Sequence, residues 1–461
     1  MDYSAANAAL WNPLIQFGIL AGAIIVANFL RRKIAVFRKS LMPTAVLAGF
    51  ILLILRTAGV LRMDENLLEM ITYHGIAIGF IAMSLRVQKQ GGDRSSALIG
   101  AKSGALIVSV YLVQAIVGSI VVLALVWLAM PNLFKAAGIL LPMGYGQGPG
   151  QANNIGGTYE SLGFAGGRSF GLSLAASGYL VACIVGVVVL NVLVKAGKLK
   201  RIAHEELSGS VTVDTFQDQG EMPLSESLDR FSMQAALVII TYLLTYLLTR
   251  ALTGGLGAIS PGLGNTVNSL LWGFNFILGS LVAIIIKWFL SKMKRLNFME
   301  RQYQNNYLLN RVSGFAFDLM IVAGIASIRL EDLSGLWVPF LLLAVIGALA
   351  TWLYLRWACK KIYPDYYYEG LMSMFGMLTG TISSGVLLLR EIDPEYKTPA
   401  ANNLVLGSSF GIGFGFPVLI LVGMAPKSDA LLYAVVGICV VYLAALLLFL
   451  LKAGTGKKKK Q

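Results

Sequence analysis

The sequence predicts an all-α polytopic membrane protein of about eleven transmembrane helices: two inverted five-helix repeats, each with a re-entrant hairpin, and an extra C-terminal span. Three observations predict it. Of 461 residues, 57% are apolar and 13% charged, about half the roughly 25% charge of a water-facing globular chain. Eleven apolar stretches are long enough to cross a bilayer, and eleven spans of about 21 residues use roughly half of the chain. Threaded in order, they gather the basic residues on one side, as cytoplasmic loops do. A soluble enzyme, a secreted disulfide scaffold and a disordered chain are excluded.

The stretches lie near 14–30, 41–58, 70–88, 97–130, 169–194, 231–250, 267–290, 312–330, 335–357, 399–423 and 428–451. The stretch 97–130 is too long for a perpendicular helix and predicts a tilted or bent one. With the N-terminus outside, 30 of the 37 basic residues fall inside, and only Arg56, Arg62, Lys135, Arg168, Arg250, Arg329 and Lys427 fall outside. The C-terminus, with Lys457 to Lys460, is then cytoplasmic. The same bias accounts for the net charge of +14 without nucleic acid as a partner. Residues 1–13 have no basic region ahead of the first apolar run, so no cleaved signal peptide is expected. Cys183, Cys359 and Cys439 sit in apolar runs in no paired pattern and offer neither a disulfide framework nor a metal site. His74 and His204, the only histidines, stand apart from any cluster of Cys or carboxylates.

Residues 1–196 form the first repeat, with a hairpin near 134–158. Residues 197–230 (His204, Glu205, Glu206, Asp214, Asp218, Glu221, Pro223) read as a cytoplasmic linker. Residues 231–424 form the second repeat, with a hairpin near 366–390, and 425–461 add a span and a basic tail. The repeat shows in Gly79–Arg86 (GFIAMSLR) against Val322–Arg329 (VAGIASIR), an offset of 243; each is followed by one long span and a Gly-rich stretch. Repetition after an odd number of crossings inverts the second copy, a transporter architecture in which ligands bind where interrupted segments meet.

The Gly-rich stretches are Gly144–Thr158 (GYGQGPGQANNIGGT) and Gly376–Gly385 (GMLTGTISSG), each flanked by apolar runs (134–143, 366–375) too short to cross. Such runs are either re-entrant segments or parts of ordinary loops outside the membrane. In the re-entrant reading, glycines allow sharp reversal and close backbone approach, and free helix ends present N–H groups to a carboxylate and carbonyls to Na⁺. Gly146, Gln147, Gly148, Gln151, Asn153, Asn154, Thr379, Gly380, Thr381, Ser383 and Ser384 are the substrate-binding candidates, with Asn402 early in the next span either lining the same cavity or bonding between helices. Asp318, within a span, is either a cation ligand or a structural partner for Arg311; Thr381 and Ser384 complete a candidate Na⁺ set.

These features resemble the bacterial sodium/glutamate symporters over nearly the whole chain. The resemblance rests on Leu41–Gly49, Gly79–Arg86, Gly144–Gly150 and Gly376–Gly385. It implies two inverted five-helix repeats with re-entrant hairpins, a homodimer, and Na⁺-driven uptake of glutamate across the bacterial inner membrane, with Gly144–Thr158 and Thr379–Ser384 as binding tips. The chain departs from that family's pattern at Gly146–Gly150, which has no His, at Thr381–Ser384, which has no Pro, and in its eleventh span.

The expectation is therefore an Na⁺-coupled symporter of glutamate or a related small amino or dicarboxylic acid, with Na⁺ as the coupling ion and the lipid bilayer as its surroundings. The alternatives are a channel using the Gly-rich loops as a filter, an intramembrane enzyme using Ser383 or Ser384, and a protein that keeps the fold without transporting. An enzyme is not expected, since no base stands near either serine.

Overall fold

The computed structural model describes residues 2–4, 6–39, 42–87, 94–199, 227–259, 271–272, 275–296, 298, 303–393 and 397–452. The body of the expected linker (200–226) and the basic tail (453–461) lie outside the described residues.

The described residues are helical, without a strand. In chain order the helices are α1 (Ala8–Lys33), α2 (Ala35–Lys39), α3 (Thr44–Thr57), α4 (Glu65–Leu85), α5 (Arg94–Leu128), α6 (Leu140–Gly144), α7 (Pro149–Ser161), α8 (Gly167–Leu180), α9 (Gly186–Lys195) and α10 (Ser227–Ile259). Then follow α11 (Asn275–Arg295), α12 (Asn306–Ala326), α13 (Trp337–Ile362), α14 (Tyr367–Thr379), α15 (Ile382–Arg390), α16 (Ala400–Met424) and α17 (Asp429–Lys452). A 3₁₀ run, Lys135–Ile139, leads into α6, and a π-helical turn, Val181–Val185, joins α8 to α9.

Ten helices among the described residues are long and apolar enough to cross a membrane, which makes the chain a multi-pass helical membrane protein. They match ten of the eleven expected spans, with α8 and α9 forming one across their π-turn. The eleventh, α3, has 14 residues and reaches only about 21 Å at 1.5 Å per residue, short of a bilayer core of about 30 Å. The stretch expected to tilt or bend is one continuous 35-residue helix, α5.

Local chemistry sets several boundaries. Asn7 caps α1, its Oδ1 accepting from Leu10 N at 3.3 Å, while Arg31, Arg32 and Lys33 close the last turn, where the helix dipole favours cations. Pro149 opens α7 at a position where a missing N–H costs nothing.

The chain forms two compact units, each drawn from both sides of the linker. The first comprises the described residues of Met1–Thr72, Asp93–Ala203 and Ile321–Gln461; the second, those of Tyr73–Gly92 and His204–Met320.

In the first unit, α5 is central, and the leg leading into α6 lies directly on it: a Cβ on Gly118 would stand 2.2 Å from the Gly138 carbonyl. An ion-pair network joins α3, α4, the α7–α8 connection and the segment after α12. Arg56 pairs with Glu65 at 2.9 Å and Arg329 with Asp332 at 2.8 Å and Glu65 at 3.5 Å. Arg168 pairs with Glu69 and reaches Glu160 at 3.8 Å. Lys135 pairs with Asp429. Four of the seven basic residues expected outside are thus neutralised.

In the second unit, Ile81, Ala82 and Leu85 of α4 pack with Val238 of α10, Ala283 of α11 and Leu309 of α12. Tyr242 OH accepts from Asn275 Nδ2 at 3.0 Å and meets His74 Nδ1 at 2.7 Å. Cys183, Cys359 and Cys439, all in the first unit, are buried and form no disulfide.

Candidate functional site

Both Gly-rich stretches fold as short helix–turn–helix hairpins within the first unit. In the first, the chain runs through Lys135–Gly144, turns at 145–148 and continues as α7. The second is α14, a break at Gly380 and Thr381, and α15. At 9 to 13 residues, α7, α14 and α15 are each about 14–20 Å long.

Close backbone contact holds the second hairpin together. A Cβ on Gly385 would lie 2.4 Å from Ser373 O, and one on Gly376 would lie 2.9 Å from Gly385 Cα. Against α7, α8 packs antiparallel, with Gly171 facing Ala152 O and Gly156 facing Gly167 O. That register puts Ser173 level with Gly150, at the start of α7.

The two hairpin turns meet. Gly148 caps α7 at φ 93°, ψ −174°, a conformation essentially restricted to glycine. A Cβ there would have Thr381 Cγ2 at 3.9 Å and Tyr179 OH at 3.7 Å as its nearest neighbours. Thr381 is the N-cap of α15. Two helix N-termini therefore converge, each with first-turn N–H groups that lack intrahelical partners and each carrying roughly half a positive charge.

The surrounding helices clamp this junction. Gly178 of α8 lies so close to Thr379 O that a Cβ would stand 2.2 Å away. Gln114 of α5, fully buried, donates from Nε2 to Leu378 O at 3.0 Å and to Thr351 Oγ1 at 2.9 Å. Its Oε1 lies 3.0 Å from where a Cβ of Gly146 would be, and the Tyr111 ring packs on the same glycine. One side chain thus bonds to the end of α14 and lies against the first hairpin's turn.

Buried oxygens without a hydrogen-bond partner collect on these elements: Gln114 Oε1, Gln151 Oε1, Asn153 Oδ1, Ser173 Oγ, Thr381 Oγ1 and Ser384 Oγ. Buried polar atoms are nearly always satisfied by protein, water or ligand, so water or a bound solute completes these groups. All six are uncharged, and no group of three or more His, Cys, Asp or Glu suited to a metal occurs among the described residues. Neutral oxygens of this kind suit a hard monovalent cation or the donor groups of a polar solute.

The structure brings together Gly146, Gly148, Gln151, Asn153, Gly380, Thr381 and Ser384 as candidates around the turns, with Gln147 half-buried at the first. Thr379 contributes backbone, because its hydroxyl donates back to Phe375 O at 2.8 Å. Asn154 is buried on α7 and accepts from Asn153 Nδ2 at 3.4 Å. The Ser383 side chain lies outside the described residues. Asn402 is exposed on α16, and it is Asn403 that is buried, donating to Tyr366 OH at 2.7 Å. Asp318 belongs to the second unit, where it is exposed on α12.

Sequence reasoning missed Gln114, Tyr111, Ser173 and Gly178. Gln114 carried a signal: it is a lone amide within an apolar 35-residue helix, where a polar group needs a purpose.

The fold and this site define a multi-pass helical membrane protein with two hairpin turns meeting inside one unit. Neither a protein-family model nor a curated protein matches the chain.

Proposed function

We propose that the protein is an Na⁺-coupled secondary active transporter, a symporter carrying glutamate or a related small amino or dicarboxylic acid across the bacterial inner membrane. The observation that carries this reading is the approach of the N-caps of α7 and α15, Gly148 and Thr381, amid unpartnered neutral oxygens. In this reading the hairpins are re-entrant and belong to two inverted repeats. The converging N-termini hold a carboxylate, and Gln151, Asn153, Thr381 and Ser384 supply oxygens to Na⁺ or to the solute's amino group. The cation lowers the cost of an anion within the membrane, so the two bind better together than apart. The N-terminus is then outside, the C-terminus cytoplasmic, and the transporter works as a homodimer.

The test is thermal unfolding of the purified full chain in detergent, with and without Na⁺, across a panel of amino and dicarboxylic acids. A ligand at 100 times its Kd stabilises the folded state by about 2.7 kcal/mol. A rise in melting temperature with one acid class, present only with Na⁺, is expected. No shift with any acid in Na⁺ would refute the reading.

A further inference from the structure

Arg230, at the start of α10, is 5% exposed, and no partner accepts from its Nε or Nη2. These two donors form one edge of the guanidinium fork, the edge that meets two oxygens of a phosphate or carboxylate side by side. A guanidinium withdrawn from water and left unpaired is strongly unfavourable, so the edge calls for an oxyanion.

Among the described side chains, the second unit is almost wholly cationic. Eight basic residues have described side chains there: Arg86, Arg230, Arg250, Lys287, Lys292, Lys294, Arg295 and Arg311. Asp318 is its single carboxylate among the described side chains, and it is remote. Gln234, one turn after Arg230 on the same buried face, donates to Tyr303 O at 2.7 Å and accepts from Asn305 N at 3.2 Å. One turn further along each helix, Val238 packs in one cluster with Leu309, so α10 and α12 run parallel. Arg230 is eight residues before Val238 and Asp318 nine beyond Leu309, which separates them by about 25 Å along the helices. The Arg230 end also carries Arg86 at the close of α4 and Lys292, Lys294 and Arg295 in the last turn of α11.

Arg230 opens the stretch Arg230–Gly255, which is long and apolar enough to cross a membrane, and the end of such a span meets the lipid headgroups. Beside it Phe231 and Met233 are exposed at 53% and 48%, and Ile239, Ile240 and Leu243 continue the exposed apolar surface along α10. A free oxyanion needs no such flank, whereas acyl chains do.

We propose that Arg230 is a phosphate-oxyanion site whose Nε–Nη2 edge takes the headgroup phosphate of an anionic phospholipid. The test uses the delipidated full chain in neutral detergent, given phosphatidylglycerol, diacylglycerol or inorganic phosphate, and read by thermal unfolding and by native mass spectrometry of retained lipid. Phosphatidylglycerol is expected to stabilise the protein and diacylglycerol is not. Arg230→Gln is expected to weaken the phosphatidylglycerol response at least tenfold, while Arg250→Gln, which removes an exposed charge far along α10, leaves it unchanged. Arg230→Lys keeps the charge without the two-donor edge and is expected to fall with Arg230→Gln, so it carries the test where the latter does not fold. Inorganic phosphate alone matching the lipid's effect, and losing it in the same variants, would assign the site to free phosphate. Equal lipid retention and stabilisation in wild type and Arg230 variants would overturn the proposal, as would no response to either phosphate source.

Discussion

Replacing Gln114 with Met removes the amide that joins α5, α13 and the end of α14 while nearly conserving volume. The Leu378 carbonyl is one of the last four of α14 and has no N–H within its own helix to accept from. The Gln114 amide caps it from a neighbouring helix at 3.0 Å. Orphaning a buried carbonyl costs about 1–3 kcal/mol, and withdrawing the bond to Thr351 Oγ1 adds about 0.5–1.5 kcal/mol. Met fills the space without a cavity, so the loss is roughly 2–4 kcal/mol. Extending the size dependence of melting temperature to 461 residues gives about 1–2 °C per kcal/mol, hence a fall of roughly 2–8 °C. The assay is thermal unfolding in detergent beside Gln16→Met, whose target has only a 3.4 Å contact with Asn12 and should move the transition less. The same variant also lacks Oε1 at the hairpin turn, and Na⁺-dependent uptake into proteoliposomes should fall at least tenfold even below the melting range. A melting temperature within about 1 °C of wild type would refute the capping argument, and unaltered uptake in a folded variant would remove Gln114 from the site.

Three further predictions bear on neighbouring features. Gly148→Ala forces a side chain into φ 93°, costing about 1–3 kcal/mol; uptake should fall more steeply than stability, read by comparing transport with unfolding on one preparation. Gly178→Ala places a methyl 2.2 Å from Thr379 O and must push α8 and α14 apart, with a loss of about 1–3 kcal/mol; a melting temperature equal to wild type would show that this contact is not tight. At Asp393 burial pushes the carboxyl up, but hydrogen bonds from the Thr398 hydroxyl and the N–H groups of Thr398 and Lys397 outweigh it and leave the group below its ordinary 3.8. A depressed acid stabilises the fold above its unfolded value and loses that contribution as pH falls through its folded value. The gap in melting temperature between wild type and Asp393→Ala should therefore hold at neutral pH and narrow below about pH 4; a constant gap down to pH 2 would refute the assignment.

What the sequence revealed and what it hid follow from the range of each signal. Hydropathy is a local property, and it located all ten long helices as well as α3. Length in sequence does not equal length in helix, which is why 41–58 reads as a span although only Thr44–Thr57 is helical there. The hairpins were legible because Gly, Pro and amide residues concentrate in short windows between apolar flanks. Their meeting was not, since Gly148 and Thr381 are separated by 233 positions and nothing local to either names the other. The clamps were hidden for the same reason. Gly178 looks like an ordinary small residue in an apolar helix until the Thr379 carbonyl is seen against it, and Asn402 and Asn403 differ only in which face of α16 they occupy.

In the first unit the paired arginines and the hairpin turns have different chemistry. The arginines at 56, 168 and 329 are engaged with Glu65, Glu69, Glu160 and Asp332, so none of them neutralises a solute at the hairpin turns. The described side chains at those turns are amides and hydroxyls. Binding an anion there relies on the two helix N-termini, whose partial charges together come to about one positive unit and belong to backbone that cannot be deprotonated or swing away. Fixed dipoles of that strength balance a single carboxylate and leave a second one short of compensation. In the proposed function that deficit is what a bound cation makes up. The solute's charge would then set the ion requirement: a monocarboxylate zwitterion should depend on Na⁺ less steeply than a dicarboxylate, a ranking that melting curves at graded Na⁺ read directly. Equal Na⁺ dependence for the two classes would mean that the turns themselves do not carry the electrostatics of binding.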